Sequence, residues 1–409
     1  MFRKRLKNSN GPPSITTKRK TFNILLLILV FEGLTNAAYA FDTLAKSAIV
    51  FDEITGSILF EKEADKPRPP ASMSKLMTLL LAFEALDEGR INLATTFRIS
   101  NKASQKGGSK MFVEENQLVS VEDLIRGITV ASGNDACIAL AEGLNGTEES
   151  FVSRMNLKAK DLGLKNSHFI NSTGWPALGH QMSVRDLLKL SIHIRNKYPT
   201  HYKYFQELEY TWNGIKQENR NPLLKLNIGV DGLKTGHTEE AGYGLVGSSK
   251  LGDRRISFIL TGLQTKQERK LESEKIVQWA YRDFVVTNLF SKNHLVSNAP
   301  IWMGEKNDVD LITSKEITIL IPYGQKNKVR AESRIEIPIQ APVKAGDQVG
   351  ILKITAPSFI PGGKDRIIEY PLISATDVKQ GGLLKKIQEA TKASILRVFN
   401  FTKLNDLIN

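Results

Sequence analysis

The pattern of apolar residues changes near residue 290, and this change constrains the fold more than any other feature of the sequence. From Phe41 to about Phe290, strand-like and helix-like segments alternate, which is typical of a mixed α/β domain. Beyond that point, short alternating segments are separated by turns containing Pro, Gly, Asn or Asp, which predicts a small all-β domain. A chain of 409 residues is long enough for both. We therefore predict an α/β (α+β) domain over residues 41–290 and a β-rich domain over residues 291–380.

Individual elements follow from spacing and turn chemistry. Two strand-like runs flank Ile54-Thr55-Gly56, which indicates a hairpin. Ser120 is predicted to cap a helix, with Asp123 three residues later. The other elements predicted in the first domain are a helix from Ser72 to Asp87 that stops at Gly89, strands at 243–248 and 255–263, and a helix from Leu271 to Leu289. In the second domain the strand-like segments are 316–321, 334–339, 348–351 and 367–370.

The N-terminus has the order of regions found in secretory signal peptides. Seven basic side chains between residues 3 and 20 precede the apolar run 22–31, and Ala38-Tyr39-Ala40 offers a cleavage site. We predict a signal peptide over residues 1–40, with a retained anchor as the alternative. The chain carries a net charge of +13, and the mature part stays basic after cleavage. That charge suits an anionic membrane or cell-wall surface, and export argues against nucleic acid as a partner.

The final segment, residues 381–409, returns to helical spacing. We predict an amphipathic helix that binds the membrane surface peripherally, because its basic balance suits anionic lipid. The alternative is a helix packed on the protein's own β domain. The stripe of the predicted helix consists of Leu384, Ile387, Thr391, Ile395 and Val398. Its basic residues are Lys385, Lys386, Lys392, Arg397 and Lys403.

The sharpest candidate for chemistry is Ser72-Met73-Ser74-Lys75, which follows Pro69-Pro70 at the predicted start of a helix. Residues three apart share a helix face, so Lys75 can reach the hydroxyl of Ser72. A neutral lysine amine can accept the serine proton and make the oxygen a nucleophile. The helix N-terminus adds a positive dipole end and a free backbone N–H. Because Ser-x-x-Lys often arises by chance, this motif alone does not establish a function.

Two further short motifs follow along the chain. Ser132-Gly133-Asn134 lies between two helical stretches, where the hydroxyl could relay a proton and the amide could hold a substrate amide. The same pattern occurs at Ser291-Lys292-Asn293, where we expect an ordinary loop. Lys234-Thr235-Gly236 lies on a strand-like stretch and offers a cation, a hydroxyl and close backbone approach. The order of the three motifs is more informative than any one of them.

In this order the motifs match the signature S-x-x-K, S-D-N, K-T-G of penicillin-binding proteins and β-lactamases. The sequence resembles the low-molecular-mass penicillin-binding proteins, specifically the D-alanyl-D-alanine carboxypeptidases. Gly133 stands where the β-lactamase signature has Asp, as it commonly does in these carboxypeptidases. The resemblance covers nearly all of the mature chain and is carried by PASMSKLMT at 70–78, SGNDAC at 132–137, KTGHT at 234–238 and APIW at 299–302.

The resemblance implies a penicillin-binding/β-lactamase-like catalytic domain and a role for each motif residue. Ser72 would be the acylated nucleophile, Lys75 its general base and Ser132 a proton relay. Lys234 would keep Lys75 neutral by like-charge repulsion, and the backbone N–H groups of Ser72 and His237 would form the oxyanion hole. Arg220 would help to hold the substrate carboxylate, with an ordinary surface arginine as the alternative. The implied substrate-binding residues are Asn134, Arg220, Lys234, Thr235, Gly236 and His237.

The implied activity is removal of the terminal D-alanine from peptidoglycan stem pentapeptides, with β-lactam antibiotics as covalent ligands. The implied location is periplasmic, on the outer face of the cytoplasmic membrane. Three alternatives stay open: a D,D-endopeptidase, a β-lactamase and a non-catalytic scaffold. The β-lactamase is disfavoured because residues 158–175 contain no Glu, and the scaffold because the motif residues are intact.

Several other patterns are expected to be structural. Gly242 to Gly247 fits G-x-G-x-x-G, but strand segments follow it where a dinucleotide site needs a helix. No His-Glu-x-x-His motif and no G-x-S-x-G motif is present, so we expect neither a zinc site nor a lipase-type centre, and no cofactor. The one cysteine, Cys137, cannot form an internal disulfide and is expected in the core.

Overall fold

The computed structural model describes residues 41–335, 337–385, 387–388 and 391. The predicted signal peptide (1–40) and most of the predicted amphipathic helix (381–409) therefore lie outside the described residues. Within them the predicted fold class is confirmed, since a mixed α/β part is followed by an all-β part. No helix in this part of the chain is long and apolar enough to cross a membrane.

The first part contains nine strands, and five of them form one antiparallel sheet in the order β2-β1-β9-β8-β7. The pairs β3–β4 and β5–β6 form two small hairpin-like sheets. The strand bounds are β1 (Ser47–Asp52), β2 (Ser57–Lys62), β3 (Thr96–Arg98), β4 (Leu118–Ser120), β5 (Glu209–Trp212), β6 (Ile215–Glu218), β7 (Val230–Thr238), β8 (Gly242–Leu251) and β9 (Arg254–Leu263).

Two helices of this part pack directly on the large sheet, and the helices between residues 75 and 161 pack mainly on one another. The helix bounds are α1 (Lys75–Asp87), α2 (Asn101–Gln105), α3 (Val121–Thr129), α4 (Asn134–Asn145), α5 (Glu148–Asp161), α6 (Val184–Lys197), α7 (Pro199–Tyr202) and α8 (Lys266–Arg282). Short 3₁₀ turns cover Ala71–Ser74 and Lys203–Gln206. The predicted cap is confirmed, because the Ser120 side chain accepts a hydrogen bond from the Asp123 N–H at the start of α3.

Burial follows the distribution of apolar residues. In β9 every residue from Ile256 to Leu263 is buried, so both faces of the sheet are covered, by α6 and by α8. Helix α1 is buried on all sides between Leu76 and Phe83, where all residues except Thr78 are apolar, and it lies inside the main core. Cys137 is fully buried in the same core, as expected.

The second part is all β. Its six-stranded sheet has the order β14-β16-β17-β12-β11-β15, and β10 pairs with β13 in a separate ribbon. The bounds are β10 (Phe284–Phe290), β11 (Leu295–Trp302), β12 (Asp308–Thr313), β13 (Ile317–Pro322), β14 (Arg330–Ile335), β15 (Ile339–Gln340), β16 (Gln348–Ala356) and β17 (Arg366–Ser374), with a 3₁₀ turn at Lys326–Lys328.

The predicted helix from Leu271 to Leu289 is wrong at both ends. Helix α8 begins at Lys266 and ends at Arg282, and residues 284–290 form β10 instead. This segment, FVVTNLF, is rich in β-branched and aromatic residues, and it pairs with β13 some thirty residues later in the chain. Hydrogen bonding to this distant strand holds residues 284–290 in an extended conformation, although their local spacing favours a helix.

The sheet edge and the helices meet where β7 passes the 3₁₀ turn that precedes α1. A Cβ on Gly236 would lie 3.0 Å from the carbonyl oxygen of Pro70 and 3.0 Å from the Cγ of Met73. Only glycine allows so close an approach without displacing the neighbouring backbone. This contact places the β7 motif beside Ser72.

Candidate active site

Ser72 and Lys75 form a hydrogen-bonded pair at the start of α1. The 3₁₀ turn Ala71–Ser74 leads directly into the helix, so part of the predicted helix from Ser72 begins in this tighter form. Ser72 is half-buried, and its Oγ lies 2.8 Å from the Nζ of the fully buried Lys75. Ala71 has φ +48°, a conformation that L-residues rarely adopt. The predicted contact between the two side chains is present.

The surroundings of Lys75 favour a neutral amine. Its Nζ also donates to the Oδ1 of Asn134 at 2.7 Å and to the carbonyl oxygen of Thr173. Burial lowers the pKa of Lys75 to about 8, and the positive charges of Arg220 and Lys106 contribute to the decrease. About a tenth of this amine is therefore deprotonated at pH 7 and able to accept a proton, far more than for an ordinary lysine.

Ser132 and Lys234 form a second serine–lysine pair across the site. The Nζ of Lys234 donates to the Oγ of Ser132 at 2.8 Å, and both side chains are almost fully buried. Burial, followed by the charge of Lys75, lowers the pKa of Lys234 well below its usual value. The like-charge repulsion that the family resemblance implies is thus present between the two lysines, and burial is the largest cause of the lowered pKa at Lys75. Ser132 also has a positive φ of +60°.

Asp135 positions the segment that carries Ser132 and Asn134. Its fully buried carboxylate accepts hydrogen bonds from the backbone N–H groups of Met111 and Phe112, each at 2.8 Å. The Asn134 side chain donates from Nδ2 to the carbonyl oxygen of Gly107 at 2.8 Å. The hydrogen bonds to the Asp135 carboxylate are charge-assisted, and they fix the loop at Met111 against the start of α4.

A loop around Thr173 and Gly174 closes the site behind Lys75. The Oδ1 of Asn171 accepts hydrogen bonds from the N–H groups of Thr173 and Gly174 at 3.1 and 2.8 Å. Gly174 has φ +79°, and a Cβ there would lie 1.9 Å from the carbonyl oxygen of Ala71. The loop can supply the Thr173 carbonyl to Lys75 only while residue 174 is glycine.

The site opens into a cleft of about 850 Å³ beside β7. His237 is exposed, and its ring stacks on that of Tyr243 with centroids 3.8 Å apart. Arg220 is exposed on the other side and donates from Nη1 to the Oγ of Ser109. The residues that line the cleft include Ser72, Ser109, Ser132, Asn219, Arg220, Thr235, Gly236, His237, Tyr243, Lys266, Arg269 and Lys270.

All nine residues predicted from the sequence are accounted for in this geometry. Ser72, Lys75 and Asn134 form one hydrogen-bonded group, and Ser132 and Lys234 form a second. Thr235, Gly236, His237 and Arg220 line the cleft beside them. In the described part of the chain, no group of His, Cys, Asp and Glu side chains could hold a metal ion.

Comparison with known proteins identifies the family of the chain independently of the site geometry. The profile of D-alanyl-D-alanine carboxypeptidases matches residues 34–265, and that of the penicillin-binding protein 5 C-terminal domain matches residues 284–380. The chain belongs to the D-alanyl-D-alanine carboxypeptidase family. The family identified by resemblance from the three motifs is thereby confirmed.

Two curated members of the carboxypeptidase family show the extent of the similarity. D-alanyl-D-alanine carboxypeptidase DacF of Bacillus subtilis (strain 168) is 35% identical over 350 residues, which cover 83% of this chain and 87% of the relative. D-alanyl-D-alanine carboxypeptidase DacA of Escherichia coli (strain K12) is 35% identical over 356 residues, covering 85% and 87%.

Two solved structures of related proteins have the same fold. Penicillin binding protein 5 from Haemophilus influenzae superposes with a TM-score of 0.71 at 34% identity, covering 83% of this chain and 98% of that one. The D-alanyl-D-alanine carboxypeptidase DacD from Francisella tularensis superposes with a TM-score of 0.75 at 27% identity, covering 85% and 98%.

Sequence analysis missed four residues that shape this carboxypeptidase site. Thr173 acts through a backbone carbonyl, which no side-chain pattern reveals. Gly174 is one of many glycines, and Arg269 lies in an ordinary charged helix segment. Asp135 could have been found, because it directly follows the Ser132 motif and an acid inside an apolar helix needs partners.

Proposed function

We propose that this serine-type D-alanyl-D-alanine carboxypeptidase removes the terminal D-alanine from peptidoglycan stem pentapeptides through an acyl-enzyme on Ser72. One observation carries the assignment of the nucleophile: a half-buried serine hydroxyl lies 2.8 Å from a buried lysine amine whose pKa is about 8. A serine hydroxyl within hydrogen-bond reach of an amine whose pKa lies near physiological pH can be activated as a nucleophile.

In the acylation step, the neutral Lys75 amine takes the proton of Ser72 as the serine oxygen attacks the carbonyl of the penultimate D-alanine. The carbon–nitrogen bond to the terminal D-alanine then breaks. The leaving nitrogen receives its proton through Ser132, whose hydroxyl is hydrogen-bonded to Lys234. Water hydrolyses the ester in the second step and restores the Ser72 hydroxyl.

Negative charge develops on the oxygen of the attacked carbonyl in the transition state. We assign the stabilisation of this charge to the backbone N–H groups of Ser72 and His237. Asn134 holds the acyl part of the peptide, although its two amide atoms already contact Lys75 and Gly107. Each amide atom has capacity for one more hydrogen bond. Thr235 and Gly236 form the facing wall of the cleft.

Cations on the leaving-group side account for the preference for a free C-terminus. We assign Lys234 and Arg220 to the terminal carboxylate, because Lys234 lies beside Ser132 and Arg220 lines the same cleft. A β-lactam carries an analogous carboxylate next to its strained amide and should acylate the same serine. A Listeria monocytogenes relative, penicillin-binding protein D2, at 30% identity and a TM-score of 0.54 over 59% of this chain, was solved in an ampicillin-bound form.

The endopeptidase alternative has weaker support. One relative named a D-alanyl-D-alanine endopeptidase, from Pseudomonas aeruginosa, is 27% identical over 57% of this chain. The carboxypeptidases named above are more similar and cover more of the chain.

The assignment is tested by mass analysis of a stem pentapeptide before and after incubation with the protein. We expect the loss of one alanine residue and release of D-alanine, and no reaction with Ser72→Ala. A peptide that stays intact while a cross-linked dimer is cleaved would instead establish the endopeptidase.

We propose that the part before residue 284 carries the chemistry and that the β-rich part up to residue 380 is a separate domain. The sequence predicts the boundary at residue 290, and we propose residue 284 instead, because the strand Phe284–Phe290 pairs with β13. The cleft described above is lined by residues of the first part.

We further propose that the protein is exported by residues 1–40 and that residues 381–409 bind it to the outer face of the cytoplasmic membrane. A basic, amphipathic segment binds anionic lipid through apolar burial and charge. We expect the full-length protein to sediment with membranes and a variant lacking residues 381–409 to move to the soluble fraction with its carboxypeptidase activity retained. Equal membrane retention of both forms would exclude this segment as the anchor.

A further inference from the structure

The β-rich part contains a gap between two strands at the place where its large sheet splits. Strand β12 pairs with β17 only at residues 311–313, and the chain then turns away to form β13, which pairs with β10. In the described part of the chain, no strand lies beside residues 366–371 of β17 on the β12 side. The edge of β13 that faces away from β10 is also without a neighbouring strand there.

The ladder between β10 and β13 shows which backbone groups of β13 point into this gap. Successive residues of an antiparallel strand direct their N–H and C=O groups to opposite sides. The Tyr323 N–H, just after β13, donates to the oxygen of Asp283, just before β10, at 2.8 Å. With this register, the backbone groups of Thr318 and Leu320 face away from β10 and toward β17.

The same alternation identifies the free backbone groups of β17. The Ala375 N–H donates to the oxygen of Asp310 at 2.9 Å, so every second residue of β17 faces the β12 side. Below the last pair with β12 these residues are Ile367, Glu369 and Pro371. Pro371 has no N–H to donate, which accounts for the end of the ladder at this point. The strand edges of β13 and β17 therefore face each other across the gap, ready for a further strand.

The gap has a volume of about 510 Å³ and is lined by β13, β17 and the turn between β1 and β2. Arg366 is the one charged residue in this lining. Its Nη2 donates to the carbonyl oxygen of Leu320 at 2.5 Å, and its Nε donates to that of Pro357 at 3.1 Å. Among the described residues, its guanidinium has no carboxylate partner. Burial lowers the pKa of Arg366 to about 10, so the group stays charged at neutral pH.

We propose that an extended segment of a partner protein binds in this gap as an added strand and places an acidic side chain against Arg366. In strand addition, the backbone hydrogen bonds of the exposed edges supply affinity, and side-chain contacts supply specificity. A backbone N–H of the segment would replace the guanidinium at the Leu320 oxygen and leave Arg366 free for a charge-assisted pair. The inference goes beyond the proposed function and does not depend on it.

The charge at the gap favours a segment of another protein over the tails of this chain. Residues 1–40 and 381–409 each contain more basic than acidic side chains. Arg366 would repel a basic segment, as would Lys315, whose Nζ lies 5.7 Å from the ring centroid of Tyr370 in the gap wall. An acidic strand has the complementary charge.

The test selects peptides from a displayed library of eight-residue sequences on the full-length protein. We expect selection to enrich alternating, β-branched peptides that carry one Asp or Glu. For the tightest of them, made as a free peptide, Arg366→Met should raise Kd at least about tenfold, because a partly desolvated charge pair is lost. Replacing the peptide's acid by its amide should have the same effect, and the two changes together should cost no more than either alone. Lys344→Met, at an exposed cation outside the gap, is the control and should leave Kd within twofold.

Hydrogen exchange shows where the selected peptide binds. The N–H groups of Thr318, Leu320, Ile367 and Glu369 should exchange at least about tenfold more slowly when it is bound. If Arg366→Met does not fold, Thr318→Pro serves instead, because it removes an N–H that no strand of the described chain accepts, and it should abolish binding while keeping the melting transition.

Three results would overturn the inference: a library that enriches no sequence, a bound peptide whose Kd is unaffected by Arg366→Met or Thr318→Pro, or unchanged exchange at the four N–H groups. Protection of these groups that rises with protein concentration in the absence of peptide would assign the gap to a second copy of this chain and would equally refute an acidic partner.

Discussion

Lys75→Met is expected to lower the rate at which penicillin acylates Ser72 by about 10³-fold, within the range contributed by a general base. The substitution removes the amine that lies 2.8 Å from the serine oxygen and leaves a side chain of similar length in a fully buried position. The measurement is the second-order rate of labelling by a fluorescent penicillin. Lys110→Met serves as the control, since this nearby amine donates to the Ser104 carbonyl oxygen at 2.8 Å, and its rate should stay within threefold of wild type.

The same amine predicts the pH dependence of acylation. Burial lowers the pKa of Lys75 to about 8, and only the neutral form can accept the Ser72 proton. The acylation rate should therefore level off above about pH 8 and fall tenfold per pH unit below it. A rate that is constant from pH 6 to 9, or Lys75→Met that labels as fast as Lys110→Met, would remove Lys75 from the role of base.

Gly174→Ala is expected to reduce acylation at least about 100-fold. A Cβ at this position would lie 1.9 Å from the Ala71 oxygen and 2.6 Å from the Oγ of Ser74, so the loop must move by more than an ångström. That shift carries the Thr173 carbonyl away from Lys75 and disturbs the turn that presents Ser72. Displacements of this size at a catalytic site have large effects on rate.

Gly179→Ala is a matched control for this substitution. Gly179 has φ +84°, close to the φ of Gly174, but nothing lies within 4 Å of its added Cβ. Both variants incur the cost of a left-handed L-residue, about 1–2 kcal/mol, and only Gly174→Ala adds the clash. Melting temperatures and penicillin labelling of the two proteins separate these effects. If Gly174→Ala labels within threefold of Gly179→Ala, the loop does not position the site as described.

The local parts of the fold and site could be predicted from the sequence. Ser72 and Lys75 are three residues apart, so their contact follows from helix geometry alone. The strand that carries Lys234 and the capped helix at Ser120 follow in the same way from local patterns. In each case the determining interaction spans only a few residues.

Features that depend on distant residues could not be predicted. The Thr173 carbonyl reaches Lys75 from 98 positions away in the sequence. The strand Phe284–Phe290 was assigned to a helix because its partner, β13, is not adjacent in the chain. Burial within the complete core is the largest cause of the lowered pKa of Lys75, and no motif reveals it. Burial and long-range pairing exist only in the folded chain.

The central claim is that Ser72 is the acylated nucleophile, and mass spectrometry of the penicillin-treated protein tests it most directly. We expect the intact protein to gain one penicillin molecule, because the opened ring stays attached, and fragment ions to place the adduct on Ser72. Ser74→Ala is the control, since Ser74 is close in sequence but fully buried, with its Oγ bonded to the Ala71 oxygen at 3.1 Å. Ser72→Ala should gain no mass, whereas Ser74→Ala should be labelled. An adduct that persists in Ser72→Ala would contradict the account.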